Sequence, residues 1–238
     1  MLRRVYGPII GRQQTAERIC YTPDDFKRAM STDSVQTIVI AADMQLSAPL
    51  TVTRSFVELR SAGGAALRAN PNGYSLVIDA NDVSLSGLII KTQTRNENLI
   101  GIKETSGGFT NEIYNLRVTA CRFFGCNNVF ETPGSSKLER SVWTGNIVGD
   151  ANISEQGGTI DAALQYCNIT GNTCYGQLDI TIKAGGIRNV ISGNRLGAVD
   201  TSASSGSNVI VGNQLAGTLT PHASDFYQTA TDNDPLNG

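Results

Sequence analysis

Residues 150–188 hold the side chains whose types could carry out acid–base chemistry. Paired Asp or Glu side chains about 5–9.5 Å apart can hydrolyse a glycosidic bond. The candidates in this stretch are Asp150, Glu155, Asp161 and Asp179, followed by Lys183 and Arg188. They share no evident repeat position, and no Asp-rich calcium motif is present. Because charged residues are mostly exposed, we interpret them as solvated charges on turns and predict no catalytic residue.

Histidine and cysteine add little chemistry. The one histidine, His222, lies close to the C-terminus and is interpreted as a surface residue. Five cysteines are too few for a disulfide scaffold at this length, and the spacings of Cys121 to Cys126 and of Cys167 to Cys174 fit no zinc pattern. The sequence therefore predicts reduced, mostly buried thiols, no metal site and no cofactor.

Composition favours strands and turns over helices. The chain has 238 residues, of which 40% are hydrophobic and 25 are glycine, and 17% are charged, against roughly 25% in an average domain. The net charge of −2 argues against a general nucleic-acid role. No signal-peptide core and no run of about 20 apolar residues is visible, so we expect synthesis in a cytoplasm without membrane insertion.

Three segments divide the chain. Residues 1–20 are predicted to be an extended basic arm that grips a neighbouring subunit. Its arginines are Arg3, Arg4, Arg12 and Arg18. Residues 21–217 are predicted to form the folded body, with strands from about residue 36 onward. Residues 218–238 are polar and are predicted to form an extended tail.

A short helix is predicted at the start of the body, over residues 22–30, TPDDFKRAM. Thr22 suits the N-cap and Pro23 the first helical position, and two aspartates then complement the positive end of the helix dipole. The apolar residues of one face are Phe26, Ala29 and Met30. This helix is expected to close one end of the β structure.

The body repeats itself at intervals of about 20 residues. The markers are Gly87, Gly125, Gly145, Gly171, Gly193 and Gly212. Their gaps are 38, 20, 26, 22 and 19 residues, and the first gap could hold two repeats. Two residues before each marker stands an apolar residue: Leu85, Phe123, Trp143, Ile169, Ile191 and Ile210. Directly after the last four stand Asn146, Asn172, Asn194 and Asn213, and four residues before, Cys121 and Cys167 share a position with Ser141 between them.

Such columns predict stacked coils that share one core. Eight or nine coils between residues 37 and 217 would make a rod roughly 40 Å long. The asparagines are expected to form a hydrogen-bonded ladder inside the corners. The cysteines, Phe123 and Trp143 are interpreted as core residues, the alternative for Trp143 being an exposed glycan contact.

The repeated Ile-x-Gly-Asn turns and the N-terminal helix resemble the right-handed parallel β-helix of pectate-lyase-like proteins. That superfamily includes phage tail spikes and other virion surface proteins. The resemblance covers about residues 22–217 and implies an all-β, single-stranded solenoid with a short capping helix. Enzymes of the superfamily cleave acidic or neutral polysaccharides, and the lyases among them use calcium and an Arg or Lys base. A fold does not determine an activity.

Three functions are open to a chain built from an arm, a rod and a tail. The preferred hypothesis is a non-enzymatic structural protein of a tailed-phage virion, a decoration or cement protein that stabilises the capsid. The second is a tail spike or adhesin that binds host surface glycans, and the third is a polysaccharide lyase or hydrolase. The first implies a homotrimer, partners among capsid or tail subunits, and a location in the virion. A bacterial β-helix protein stays open as the origin.

Overall fold

The computed structural model of the chain describes residues 16–68, 74–91, 98–103, 112–125, 128–134, 136–149, 158–175 and 178–228. These residues form one helix and short strands that all pair in parallel. The strands lie in three long sheets, and the chain visits them in turn before it advances by one strand. The predicted all-β parallel β-helix is therefore confirmed.

The elements are numbered in chain order. Sheet 1 contains β1 (Ala16–Cys20), β2 (Val35–Ile40), β5 (Glu58–Ser61), β8 (Ser84–Ser86), β12 (Arg117–Thr119), β16 (Val142–Thr144), β19 (Asn168–Thr170), β22 (Val190–Ser192), β25 (Val209–Val211) and β28 (Phe226–Tyr227). Sheet 2 contains β3 (Met44–Gln45), β6 (Ala66–Arg68), β9 (Ile89–Lys91), β13 (Arg122–Phe124), β17 (Ile147–Val148), β20 (Thr173–Cys174), β23 (Arg195–Leu196) and β26 (Gln214–Leu215). Sheet 3 contains β4 (Leu50–Val52), β7 (Leu76–Ile78), β10 (Asn98–Ile102), β14 (Asn128–Glu131), β18 (Thr159–Gln165), β21 (Asp179–Ile182), β24 (Val199–Asp200) and β27 (Leu219–Thr220), with β11 (Glu112–Tyr114) and β15 (Lys137–Glu139) pairing beside it.

Stacked apolar rows fill the interior. One row of sheet 1 runs in register along the rod, and all its side chains are buried: Ile38, Leu59, Leu85, Val118, Trp143, Ile169, Ile191 and Ile210. The Trp143 ring packs edge-on against Phe130 with ring centroids 5.1 Å apart. Trp143 is thus a core residue, as predicted, and is not available to an external glycan. The eight strands of sheet 2 give eight coils, which agrees with the expected eight or nine.

The N-terminal end differs from the predicted boundary. Residues 16–20 form β1, which pairs with β2, so Arg18 belongs to the first strand of the body and not to an arm. Arg3, Arg4 and Arg12 lie outside the described residues. The strand was missed because a short edge strand followed by a helix carries no repeat of the Ile-x-Gly-Asn kind.

Helix α1 (Pro23–Met30) closes this end as predicted. Thr22 accepts the Asp25 backbone N–H at 3.1 Å, and the Asp25 carboxylate accepts the Thr22 backbone N–H at 3.1 Å. This reciprocal capping satisfies two N–H groups that the first turn leaves unpaired. Phe26, Ala29 and Met30 are buried in the common core.

The C-terminal end also extends further than predicted. Strands β27 and β28 continue sheets 3 and 1 to Tyr227, so the body does not end at residue 217. Asp225 lies between these strands and joins the last corner through a 2.9 Å bond from the Asn208 side chain. The segment looked like a tail because its polar residues make corner hydrogen bonds instead of an apolar row.

The predicted register of one coil is wrong. The glycine spacing predicts Gly125 as its corner marker, but Thr119 is paired with Ser86 and Thr144, which places Ala120 opposite Gly87 and Gly145. Ala120 adopts the same left-handed backbone as those glycines, with φ of 51°. A search for glycines could not find a corner built on alanine. The 38-residue gap therefore holds one coil and not two.

This correction separates the two cysteines that were predicted to share a column. Cys121 takes the position of the asparagines that follow sheet 1, and its N–H donates to Asn146 Oδ1 at 2.9 Å. Cys167 lies at the opposite corner, where the Ser141 N–H approaches its sulfur at 3.5 Å. Phe123 moves into the row of Ile90 and Val148 and stays in the core.

Candidate functional site on the outer face of sheet 3

The predicted asparagines lie in one ladder inside the corner between sheets 1 and 2. Side-chain amides link Asn146 to Asn172, Asn172 to Asn194 and Asn194 to Asn213 at 2.8, 2.9 and 2.9 Å. Each also donates to a strand carbonyl of an earlier coil, as Asn172 does to Trp143 O at 3.0 Å. All of their amide groups are engaged in the fold, so the ladder is structural and offers no group to a ligand.

A second polar ladder occupies the corner between sheets 3 and 1. Asn189 donates to Asn208 at 3.0 Å, and Asn208 donates to Asp225 at 2.9 Å. Ser141 and Cys167 take the equivalent positions in earlier coils. Asn189 and Asn208 are not among the predicted ladder residues, although both stand four residues before a marker glycine. That spacing was the signal that could have revealed them.

Two carboxylates meet on the outer face of sheet 3. Glu131 on β14 and Asp161 on β18 are direct register partners. Lys183, which follows β21, places Nζ 3.0 Å from Asp161 Oδ2 and 3.9 Å from Glu131 Oε1. The side chains are 25% (Glu131), 30% (Asp161) and 28% (Lys183) exposed. The interpretation of Asp161 and Lys183 as solvated turn charges is therefore wrong, since both are paired and mostly covered.

Three further donors converge on Glu131. Its Oε2 atom accepts from Asn98 Nδ2 at 2.8 Å, from Tyr74 Oη at 3.1 Å and from Asn128 Nδ2 at 3.4 Å. Donors on several sides fix the carboxylate in one orientation. We call Tyr74, Asn98, Glu131, Asp161 and Lys183 the carboxylate–lysine centre.

Gly101 lets Tyr74 reach this centre. The ring of Tyr74 lies directly against the β10 backbone, and a Cβ atom on Gly101 would come within 2.6 Å of Tyr74 Cε1. Any larger residue would displace the ring, since real Cβ atoms do not approach so closely. Gly101 is also the register partner of Glu131, so it lies beside the carboxylate that Tyr74 contacts.

The same face carries more acidic than basic groups. Asp179 and Asp200 lie on neighbouring strands β21 and β24. Asp179 accepts the Ala198 N–H at 2.7 Å, and Asp200 accepts the Ser202 N–H at 2.9 Å. Lys183 is the cation of the centre, and it contacts both Glu131 and Asp161. Among the described residues, the surroundings of the centre are therefore electronegative.

The other predicted candidates do not join the centre. Arg188 stacks over the Tyr166 ring at 5.8 Å, at the corner before sheet 1. Asp150 and Glu155 lie outside the described residues. Among the residues that the structure describes, no three His, Cys, Asp or Glu side chains are grouped as a metal site. His222 Nδ1 lies 2.9 Å from Ser224 Oγ in an exposed turn.

The buried thiols are poor nucleophiles. Burial raises the pKa of both Cys121 and Cys167 to about 11, so both are protonated near neutral pH. Cys20 and Cys174 are also buried, and neither forms a disulfide. Cys126 lies outside the described residues. These four cysteines fit the predicted reduced core thiols.

Comparison with known proteins gives one structural match. No family model matches the chain, and no curated protein matches its sequence. An alginate lyase from Paenibacillus sp. str. FPU-7 superposes over 89% of this chain and 97% of its own, at 13% identity and a TM-score of 0.38. Similarity this distant carries no information about what the present chain binds. No helix in the described part of the chain is long and apolar enough to span a membrane.

Proposed function

We propose that this protein binds an extended polysaccharide across the outer face of sheet 3, at the carboxylate–lysine centre. The observation that supports the proposal is the convergence of Glu131, Asp161 and Lys183 on one partly covered patch. Polar side chains that point outward from a rod are ordinarily solvated and separate. Here five of them from different coils hold one another in fixed positions.

The chemistry of the patch suits sugars. Carboxylate and amide oxygens accept hydrogen bonds from sugar hydroxyls, and the Tyr74 hydroxyl oxygen, whose proton is donated to Glu131, can accept one as well. The Tyr74 ring also offers an apolar surface for the face of a sugar ring. Parallel strands repeat these positions about every 4.8 Å along the rod, which allows a polymer to contact several coils.

Hydrolysis of the bound glycan is a second candidate, favoured by the register of the two carboxylates. Glu131 and Asp161 sit on adjacent paired strands, and retaining glycosidases hold their two carboxyl groups about 5–5.5 Å apart. In such a reaction one carboxylic acid protonates the leaving oxygen while the other carboxylate attacks the anomeric carbon. Water then releases the sugar from the second group. Lys183, between the two, would hold both groups in position.

Binding is tested with the purified chain and a panel of immobilised polysaccharides. Glu131→Gln, Asp161→Asn and Lys183→Met are each expected to weaken binding about tenfold or more. The matched control is Glu17→Gln, which removes a carboxylate that pairs with Arg60 on the outer face of sheet 1. Retention of binding by all three centre variants, or equal loss in the control, contradicts the proposal.

Cleavage is followed separately by the release of reducing ends from any polysaccharide that binds. New reducing ends in the wild type, and their absence in Glu131→Gln and Asp161→Asn, would support hydrolysis. Binding without new reducing ends leaves the recognition proposal intact and removes the hydrolase. Products that carry a carbon–carbon double bond would instead identify a lyase.

A structural role on a phage virion, with a homotrimer and capsid or tail partners, stays a separate prediction from the sequence. Its test changes with the observed boundary, because residues 16–20 belong to the body. Removal of residues 1–15 should leave a folded rod that no longer joins the particle. Full incorporation of the truncated protein would contradict this role.

A further inference from the structure

The proposed glycan site is richer in hydrogen-bond acceptors than in donors. Glu131 and Asp161 supply four carboxylate oxygens: Glu131 Oε2 already accepts from three protein donors, and Lys183 is shared between Glu131 Oε1 and Asp161 Oδ2. Asn98 adds an acceptor: its Nδ2 donates to Glu131, which fixes the amide orientation, and its Oδ1 is buried with no partner among the described residues. This oxygen is enclosed and is not contacted by a ligand, but its partial negative charge adds to that of the two carboxylates.

The charged residues described on the same face are mostly acidic. Glu131, Asp161, Asp179 and Asp200 lie on four successive strands of sheet 3. Lys183 offsets one of these four charges, and Lys137 at the side of the sheet pairs with Glu112 at 3.9 Å. Charges on neighbouring strands lie within one Debye length, about 8 Å at physiological salt, so they act together on a ligand.

We infer that the site takes a donor-rich glycan without carboxylates, a neutral or amino-bearing polysaccharide, and discriminates against polyuronates. This inference rests on the proposed function of the sheet 3 face. Hydroxyl or ammonium groups would satisfy the open lone pairs of the carboxylate oxygens. A uronate chain would bring its own carboxylates against Glu131 and Asp161, and like charges in contact are strongly unfavourable. The one cation of the centre, Lys183, is already paired with both of these carboxylates.

The test compares three polymers in one binding assay: a neutral glucan or xylan, chitosan as the amino-bearing polymer, and polygalacturonate. At low salt the neutral or amino-bearing polymer should bind about tenfold or more tightly than polygalacturonate. Added salt should leave neutral-glycan binding almost unchanged, because no net charge attraction is involved, and should improve any weak binding of polygalacturonate.

Variants separate specificity from loss of the site. Asp200→Asn removes one negative charge of the face outside the centre. It should reduce the ratio of the affinity for neutral glycan to the affinity for polygalacturonate, while the affinity for neutral glycan itself stays within about twofold. Glu17→Gln on sheet 1 should change neither. Tighter binding of polygalacturonate than of the other polymers, lost in Lys183→Met, would overturn the inference while it leaves a glycan site in place. Binding of none of the three polymers overturns the proposed function, and this inference with it.

Discussion

The first and last coils of the rod fill the same corners with different side chains. At the corner after sheet 1, the early coils place Leu88 and Cys121, whereas the later coils place Asn146 and its ladder. At the corner before sheet 1, the early coils place Val57, Val83 and Leu116, and the later ones Ser141, Cys167, Asn189 and Asn208. Polar side chains first enter both corners in one coil, at Ser141 and Asn146, and Cys167 is the one apolar residue among the later positions named.

The backbone of the corners is the same on both sides of this change. The Arg117 N–H donates to Val83 O at 2.9 Å in an early coil, and the Asn168 N–H donates to Ser141 O at 2.9 Å in a later one. The fold therefore needs only a side chain that fits the corner. An apolar residue stabilises it by burial, while an asparagine adds bonds to the coils above and below.

The largest loss of stability is expected when an interior asparagine is removed from the ladder. Asn172→Leu should lower the free energy of unfolding by about 3 kcal/mol or more. It removes the acceptor of the Asn146 backbone N–H and one acceptor of the Asn146 side-chain amide, and it removes a donor to the Trp143 carbonyl. Urea unfolding measures the loss. Asn213→Leu at the half-buried end of the ladder should lose less, and equal losses would contradict a ladder that supports each interior member from two sides.

A somewhat smaller loss of stability is expected when an apolar corner residue of an early coil is truncated. Leu88 is fully buried, and Leu88→Ala should lower the free energy of unfolding by about 2–4 kcal/mol. Leu88→Asn should not restore stability, because this corner lacks the asparagine stack that would receive its amide. Ser86→Ala, on the outer face of the same coil, serves as the control and should change little. Recovery of stability in Leu88→Asn would show that an apolar residue and an asparagine are interchangeable at this corner.

The corner backbone itself gives a third test. Gly145 has φ of 64°, and a Cβ there would meet no atom within 4 Å. Gly145→Ala should therefore destabilise by about 1 kcal/mol through backbone strain alone. Ala120→Gly, the reverse change in the preceding coil, should be neutral or stabilising by about 0.5–1 kcal/mol. Thermal unfolding of both variants measures the two changes in stability. A large loss of stability in Ala120→Gly would mean that the Ala120 methyl group has a packing role.

The smallest effect concerns the helix that caps the early coils and its pH dependence. The Arg28 side chain, with backbone and side-chain donors from Tyr21 and Thr22, lowers the pKa of Asp25 from 3.8 to about 2. The folded state therefore favours the ionised carboxylate, and this contribution is present above pH 4 and is lost as the pH falls towards 2. Asp25→Asn should remove it. The free energy of unfolding of the wild type should fall more between pH 5 and 2.5 than that of the variant. Parallel curves of stability against pH would contradict a stabilising role of the ionised Asp25.

The repeat made most of the fold predictable, and its exceptions account for the errors. The spacing of Gly145, Gly171, Gly193 and Gly212 gave the stacked coils and the ladder, because one coil must match the next. The coil at Ala120 broke the marker pattern, since alanine can occupy a left-handed corner at modest strain. Strands β1 and β28 lie beyond the repeat at the two ends, where one neighbouring strand suffices for pairing.

The sequence by itself determined the parallel coils, the apolar rows and the capping helix, because these depend on local periodicity and on capping residues. The tertiary structure decided where the chemistry lies. Glu131, Asp161 and Lys183 are separated by 30 and 22 residues, and unequal coil lengths hide their common position. Only the stacking of β14, β18 and β21 in register brings them together. Gly101 acquires its role in the same way, because the ring of Tyr74 comes to rest on it from the preceding coil.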